Sequence, residues 1–197
     1  MNKAVFLDRD GTINEEMGYI NHLSRFVLLP GVAEGIRKLK ENGFLTIVVT
    51  NQAGVARGYF SEDLLKKVHE KMQKLLKQQK AELDAIYYCP HHPEVGPPEY
   101  KIDCNCRKPK PGMIEKAVRD YSIDLKKSYM IGDRYTDIKF AKQFDMKAIM
   151  VLTGYGRGEF EYFRHNWTIF PDFIAEDFLE AVNWILKYEK LKNRKLQ

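Results

Sequence analysis

Two aspartates one residue apart, Asp8 and Asp10, follow an apolar run in "FLDRDGT", Phe6 to Thr12. Like charges this close repel, so the pairing is costly unless a positive group sits between them. A third carboxylate, Asp133 in "GDRYTD", follows another short apolar run. Brought together, the three call for a hard divalent cation. Mg²⁺ takes oxygen ligands, keeps several waters, and is typically held by one or two carboxylates plus a substrate phosphate.

A second cluster lies in "CPHHPEVGPPEYKIDCNC", Cys89 to Cys106. Cys89 and His91 make a C-x-H pair and Cys104 and Cys106 a C-x-C pair, with His92 as a rival ligand. Three thiolates and an imidazole suit tetrahedral Zn²⁺ with no open position, the mark of a structural site. The Pro-rich loop lacks a core of its own, so a metal would staple it. Arg107 and Lys108 follow the last cysteine directly. The zinc is thus expected to aim cations rather than do chemistry.

Alternating elements must position these groups. Strands are expected at 3–7, 44–50, 85–89, 128–133 and 147–152. Helices are expected at 32–43, 61–80, 111–123, 137–144 and 175–192. The helix at 61–80 has Ser61 as its cap, acids in its first turn and lysines in its last. Its apolar stripe runs through Leu65, Val68 and Met72, and His69 is expected on its surface. Strands alternating with helices imply an α/β fold with a parallel sheet, whose ligand sites lie at the carboxyl ends of strands. Asp8 and Asp10, Thr50 and Asn51, Cys89 to His91, and Asp133 all fall at such ends.

The 197 residues suffice for one domain, expected over 1–197 with the zinc loop at 89–106 as an insertion. A net charge of +5 suits anionic ligands. No basic block is interleaved with aromatics, so nucleic acid is not an expected partner. No apolar run approaches the ~20 residues of a membrane span. The stretch before Asp8 is too short for a signal peptide, and a cytoplasmic monomer is expected. The three cysteines are odd in number and tightly grouped, which in a reducing compartment favours a metal over a disulfide.

"DRDGT", Thr50, Lys108 before Pro109, and "GDRYTD" resemble the four signature motifs of the haloacid dehalogenase superfamily of phosphohydrolases, over Lys3 to about Gly158. The resemblance implies a Rossmann-like sheet flanked by helices. It implies Asp8 as the nucleophile that forms an aspartyl phosphate and Asp10 as the acid and then the base. Thr50 and Lys108 would hold the transferring phosphoryl group. Asp133, a carboxylate oxygen of Asp8 and the backbone carbonyl of Asp10 would hold Mg²⁺. Asp137 is expected to orient Lys108 or a metal-bound water, or equally to cap the following helix.

The spans 12–30 and 50–61 are too short for a cap domain, so an open site is expected. The zinc loop and "TNQAGVARGYF" (50–60) resemble the branch that acts on heptose bisphosphates and histidinol phosphate. That branch selects His91 over His92 as the zinc ligand. It implies release of the C7 phosphate of a heptose 1,7-bisphosphate, on the way to nucleotide-activated heptose, with histidinol phosphate as the alternative substrate. Glu16, Met17, Gly18 and Tyr19 would form one wall of the sugar pocket, and Asn51, Gln52 and Ala53 another. Arg57, Arg107 and Arg134 would bind the substrate away from the reacting phosphate. A catalytically silent zinc-stabilised binding module is the alternative from outside enzymology.

Overall fold

A computed structural model describes residues 1–194. The chain runs β1 (Lys3–Leu7), α1 (Val32–Glu41), β2 (Phe44–Asn51), α2 (Glu62–Gln78), β3 (Ala85–Cys89), α3 (Gly112–Tyr121), β4 (Tyr129–Gly132), α4 (Tyr135–Lys142), β5 (Lys147–Val151), a single turn α5 (Gly156–Gly158), β6 (Phe173–Ala175) and α6 (Phe178–Arg194). The strands form one parallel sheet in the order β3-β2-β1-β4-β5-β6. This is the doubly wound arrangement, and its switch point lies between β1 and β4, where ligands bind beyond the strands' carboxyl ends.

Each central strand is apolar on both faces because helices cover both. On β1, Val5 and Leu7 face one core, shared with Ile36 and Leu39 of α1, Met72 and Leu76 of α2, and Val182 and Ile185 of α6. Ala4 and Phe6 face the other, shared with Ile114 and Ala117 of α3 and Ile138 and Phe140 of α4. Burying a side chain of this size contributes about 1.5–3 kcal/mol, so β1 is held firmly on both sides. The strand that delivers Asp8 is therefore among the best anchored. Ser61 caps α2 by accepting from the Leu64 N–H.

Apart from the added turn α5 and shifts of one or two residues at element ends, the structure differs from the expected elements in three places. Strand β6 was not expected: three residues after Pro171 are too few to show an alternation, and they form the sheet edge beside β5. Helix α4 begins at Tyr135 rather than 137, which places Asp137 inside its first turn. Helix α6 begins at Phe178, because Ala175 belongs to β6. The basic run "KLKNRK" (190–195), expected as a solvated end to the last helix, lies partly outside the described residues. No described helix is long and apolar enough to cross a membrane.

Candidate active site

The switch point brings together residues far apart in sequence. Asp8 leaves β1 and Asp133 leaves β4, two strands paired in parallel. Ligand oxygens of Asp8, Asp133 and Asp137 lie within 4.8 Å of one another. Lys108 is the cation among them, with Nζ 2.7 Å from Asp8 Oδ1 and 2.7 Å from Asp137 Oδ1. Burial works against its charge, but Asp137 and Asp8 outweigh that and raise its pKa. Asn51 fixes the Lys108 backbone by a reciprocal pair: its amide donates to the Lys108 carbonyl at 3.1 Å and accepts from the Lys108 N–H at 3.0 Å. Asp137 accepts from Lys108 and also, at 3.3 Å, from the Arg134 N–H at the start of α4. It thus holds Lys108 as expected, but it is not the N-cap of α4: Arg134 is, and Asp137 supports the helix start from the third helical position.

Asp133 is fully buried. Its Oδ2 accepts from the Tyr155 N–H at 2.9 Å, while Oδ1 has no hydrogen-bond partner. A buried carboxylate oxygen without a donor is costly, and a cation between Asp133 and Asp8 answers that cost. The loops fit closely here. A Cβ on Gly11 or on Gly154 would overlap the Asp133 carboxylate, and both glycines have positive φ. Burial raises Asp133 well above the ordinary carboxylate range, with the charges of Asp8 and Asp137 adding to it. Burial likewise raises Asp8 to about 6, against the pull of Lys108.

The Asp10 carboxylate turns away from this trio. Arg9 donates to both of its oxygens, Asn14 donates to Oδ1 at 3.0 Å and Gln52 donates to Oδ2 at 2.8 Å. Burial pushes Asp10 up, but the Arg9 charge and these donors outweigh it and lower its pKa. Gln52 also donates to the Thr50 hydroxyl at 3.0 Å, which leaves the Thr50 O–H free to donate.

Above these groups lies an open cleft of about 410 Å³. Glu16, Gly18 and Tyr19 line one side, Asn51, Ala53 and Arg57 another, and Arg107 and Arg134 the rim. Tyr155, which was not expected, also lines it and stacks under the Arg134 guanidinium at 3.8 Å. Two expected pocket residues point elsewhere. Met17 packs against the core, and Gln52 sits behind Asp10 as its donor. A larger groove, about 700 Å³, runs beside α2. His69, Glu70, Ile86 and several lysines and glutamines line it, with no carboxylate trio, so the chemistry belongs to the smaller cleft.

Cys89, His91, Cys104 and Cys106 form the second cluster, with ligand atoms within 4.8 Å of one another. Cys106 Sγ is 3.5 Å from His91 Nδ1 and Cys89 Sγ is 3.3 Å from Cys104 Sγ. Tetrahedral Zn–S bonds of about 2.3 Å would space the sulfurs about 3.8 Å apart, so small outward shifts accommodate the ion. The bonds Cys106 accepts from the Cys89 and Cys104 thiols and from His91 lower its pKa to about 5, which favours a thiolate. His92 points away, with Nε2 3.1 Å from an Arg57 nitrogen. Arg107 follows the cluster and donates to the His91 carbonyl at 3.3 Å.

His69 differs from the expectation. It is 7 % exposed rather than on the surface, and it pairs with Arg9. The spacing Leu65, His69, Met72, Leu76 already marks the buried face of α2. Arg9 carried no expected role either, yet it is among the largest fully buried side chains.

Two carboxylates two residues apart, a buried lysine and a buried, partly unpaired aspartate at the switch point of such a sheet fit a phosphohydrolase of the haloacid dehalogenase type. A family model described as HAD-hydrolase-like matches residues 105–181. The D-glycero-beta-D-manno-heptose-1,7-bisphosphate 7-phosphatase of Haemophilus influenzae is 48% identical over 155 residues, 78% of this chain and 84% of that one. The D-glycero-D-manno-heptose-1,7-bisphosphate 7-phosphatase of Thermosynechococcus vestitus is 42% identical over 187 residues, 92% of this chain and 94% of that one. Among solved structures, the D,D-heptose 1,7-bisphosphate phosphatase of B. bronchiseptica, complexed with magnesium and phosphate, superposes with a TM-score of 0.82 at 31% identity, covering 94% of this chain and 99% of that one. The chain belongs to the heptose-1,7-bisphosphate 7-phosphatase family of that superfamily.

Proposed function

We propose that the chain is a Mg²⁺-dependent phosphatase that removes the C7 phosphate of D-glycero-D-manno-heptose 1,7-bisphosphate through an aspartyl phosphate. The observation that carries the chemistry is the buried Asp8–Lys108–Asp137 triplet beside the partnerless Asp133 oxygen. Asp8 is the nucleophile. Asp10 protonates the leaving oxygen and then takes a proton from the attacking water. The approach of an anionic phosphate raises the pKa of Asp10, which brings it from the carboxylate of the free site to the acid form the first step needs. Thr50 donates to a phosphoryl oxygen, and Lys108 neutralises charge on the phosphoryl group.

Asp8, Asp133 and the Asp10 carbonyl would hold Mg²⁺, which screens the anionic nucleophile from the anionic phosphate. Protons compete for these buried carboxylates. Mg²⁺ affinity is therefore expected to rise by at least about tenfold per pH unit below about pH 6, where Asp8 is protonated, and to keep rising above it until Asp133 is ionised as well. Calorimetric titration across that range measures it, and a flat affinity would contradict the Asp8 environment described above.

Arg57, Arg107 and Arg134 suit a substrate with a second phosphate, held while the first reacts. Relatives named as heptose bisphosphate phosphatases support this choice. The test is kcat/KM on the heptose bisphosphate and on histidinol phosphate side by side. The heptose substrate is expected to win by at least about tenfold, and a clear preference for histidinol phosphate would reverse the assignment.

Zn²⁺ on Cys89, His91, Cys104 and Cys106 would staple the loop that carries Arg107. Elemental analysis is expected to find about one zinc per chain. Its removal by a chelator, followed by excess Mg²⁺, is expected to lower the melting temperature by about 4 °C or more. KM should rise more than kcat falls, because Arg107 is displaced while Lys108 stays anchored by Asn51, Asp8 and Asp137. An unchanged KM and melting temperature would contradict the staple.

A further inference from the structure

The groups that grip Asp10 extend inward to α2. Arg9 is 1 % exposed. Its Nε and Nη2 donate to Asp10, its Nη2 donates to Gln52 Oε1 at 3.0 Å, and its Nη1 lies 3.0 Å from His69 Nε2. A guanidinium has donors and no acceptor, so Nε2 of His69 accepts and the ring proton sits on Nδ1. Burial, and then the Arg9 charge, lower His69 to about 3, so the ring is neutral. Without that acceptor, Nη1 becomes a buried donor with no partner, a state costly enough to turn the guanidinium. Asp10 then loses its two-pronged hold.

We propose that His69 is a positioning residue for phosphoryl transfer: through Arg9 it fixes the carboxylate of Asp10 where that group exchanges a proton with the leaving oxygen. This rests on the phosphatase reading given above. In the first half-reaction the Asp8 oxygen–phosphorus bond forms, the ester oxygen–phosphorus bond breaks, and the Asp10 proton passes to the departing oxygen to give an alcohol. In the second, Asp10 takes a proton from water as the water oxygen bonds to phosphorus. The Asp8–phosphorus bond breaks, which frees phosphate and restores the Asp8 carboxylate. His69 touches none of the reacting atoms.

Leaving-group dependence separates positioning from packing. A sugar alkoxide needs the proton to depart, whereas nitrophenolate departs without it. His69→Leu keeps bulk and helix propensity but removes the acceptor. It is expected to lower kcat/KM on the sugar bisphosphate by about 10- to 100-fold, and on nitrophenyl phosphate by less than about threefold. KM on the sugar should change by less than about twofold. His69→Gln, whose amide oxygen can accept from Arg9, should recover the sugar activity to within about threefold of wild type. If His69→Leu does not fold, His69→Ala removes the acceptor without added shape and carries the same comparison. Equal losses on both substrates, no loss in the variant lacking the acceptor, or a Gln variant no better than it would each overturn the proposal. A wild type inactive on the sugar bisphosphate would overturn the substrate reading alone, because the ratio can then be read on phenyl against nitrophenyl phosphate.

Discussion

Replacing Asp8 with asparagine is expected to abolish turnover, by about 10⁴-fold or more, while the protein stays folded. An amide oxygen in the same place is too poor a nucleophile to form the acyl phosphate. The substitution also removes one of the carboxylates that would hold the cation. The fold should survive because the site does not depend on the Asp8 charge for stability. Burial already raises Asp8 to about 6, so its ionised form is held at a cost when no metal is bound. Lys108 keeps its contact with Asp137 at 2.7 Å. The check is phosphate release together with a thermal melt, with mass spectrometry to exclude deamidation back to aspartate. Substantial activity in verified Asp8→Asn protein would mean that another group attacks phosphorus.

Replacing Lys108 with methionine should damage both activity and stability. Its nitrogen is the cation between Asp8 and Asp137, and the side chain is 5 % exposed. Methionine nearly matches its length but leaves the buried carboxylates facing one another. Removing one partner of a buried ion pair costs about 3–5 kcal/mol. The melting temperature should therefore fall, and Mg²⁺ should restore part of it. The pH dependence has a definite sign. With pKa values raised above those of the unfolded chain, the acids bind protons more readily when folded, so the metal-free variant should gain stability as pH falls. Loss of the positive charge that faces the phosphoryl group should lower kcat by about 10²- to 10³-fold. A variant with wild-type kcat would show that Lys108 is only structural.

Much of this architecture could be read from the order of residues. Strand β1 and helix α2 were plain because each carries a full hydrophobic period with a cap or a polar break at its end. The site residues stood out because polar groups follow apolar runs at several strand ends, and a parallel sheet brings those ends to one rim. The support behind Asp10 was harder to see. An arginine between two aspartates gives no sign that it will be buried, and its partners Gln52 and His69 come from two later elements. His69 did carry a signal, its place on the Leu65–Met72–Leu76 face, but a polar residue among lysines hides it. Tyr155 was invisible for another reason: it reaches Asp133 through a loop after β5 that has no periodic pattern.

The regiochemistry of release tests the central claim most directly. Phosphorus NMR can follow D-glycero-D-manno-heptose 1,7-bisphosphate incubated with the protein and Mg²⁺. The C7 resonance should disappear as inorganic phosphate grows in, with the C1 phosphate retained in the product. Loss of the C1 phosphate, or no turnover while histidinol phosphate is hydrolysed, would contradict it.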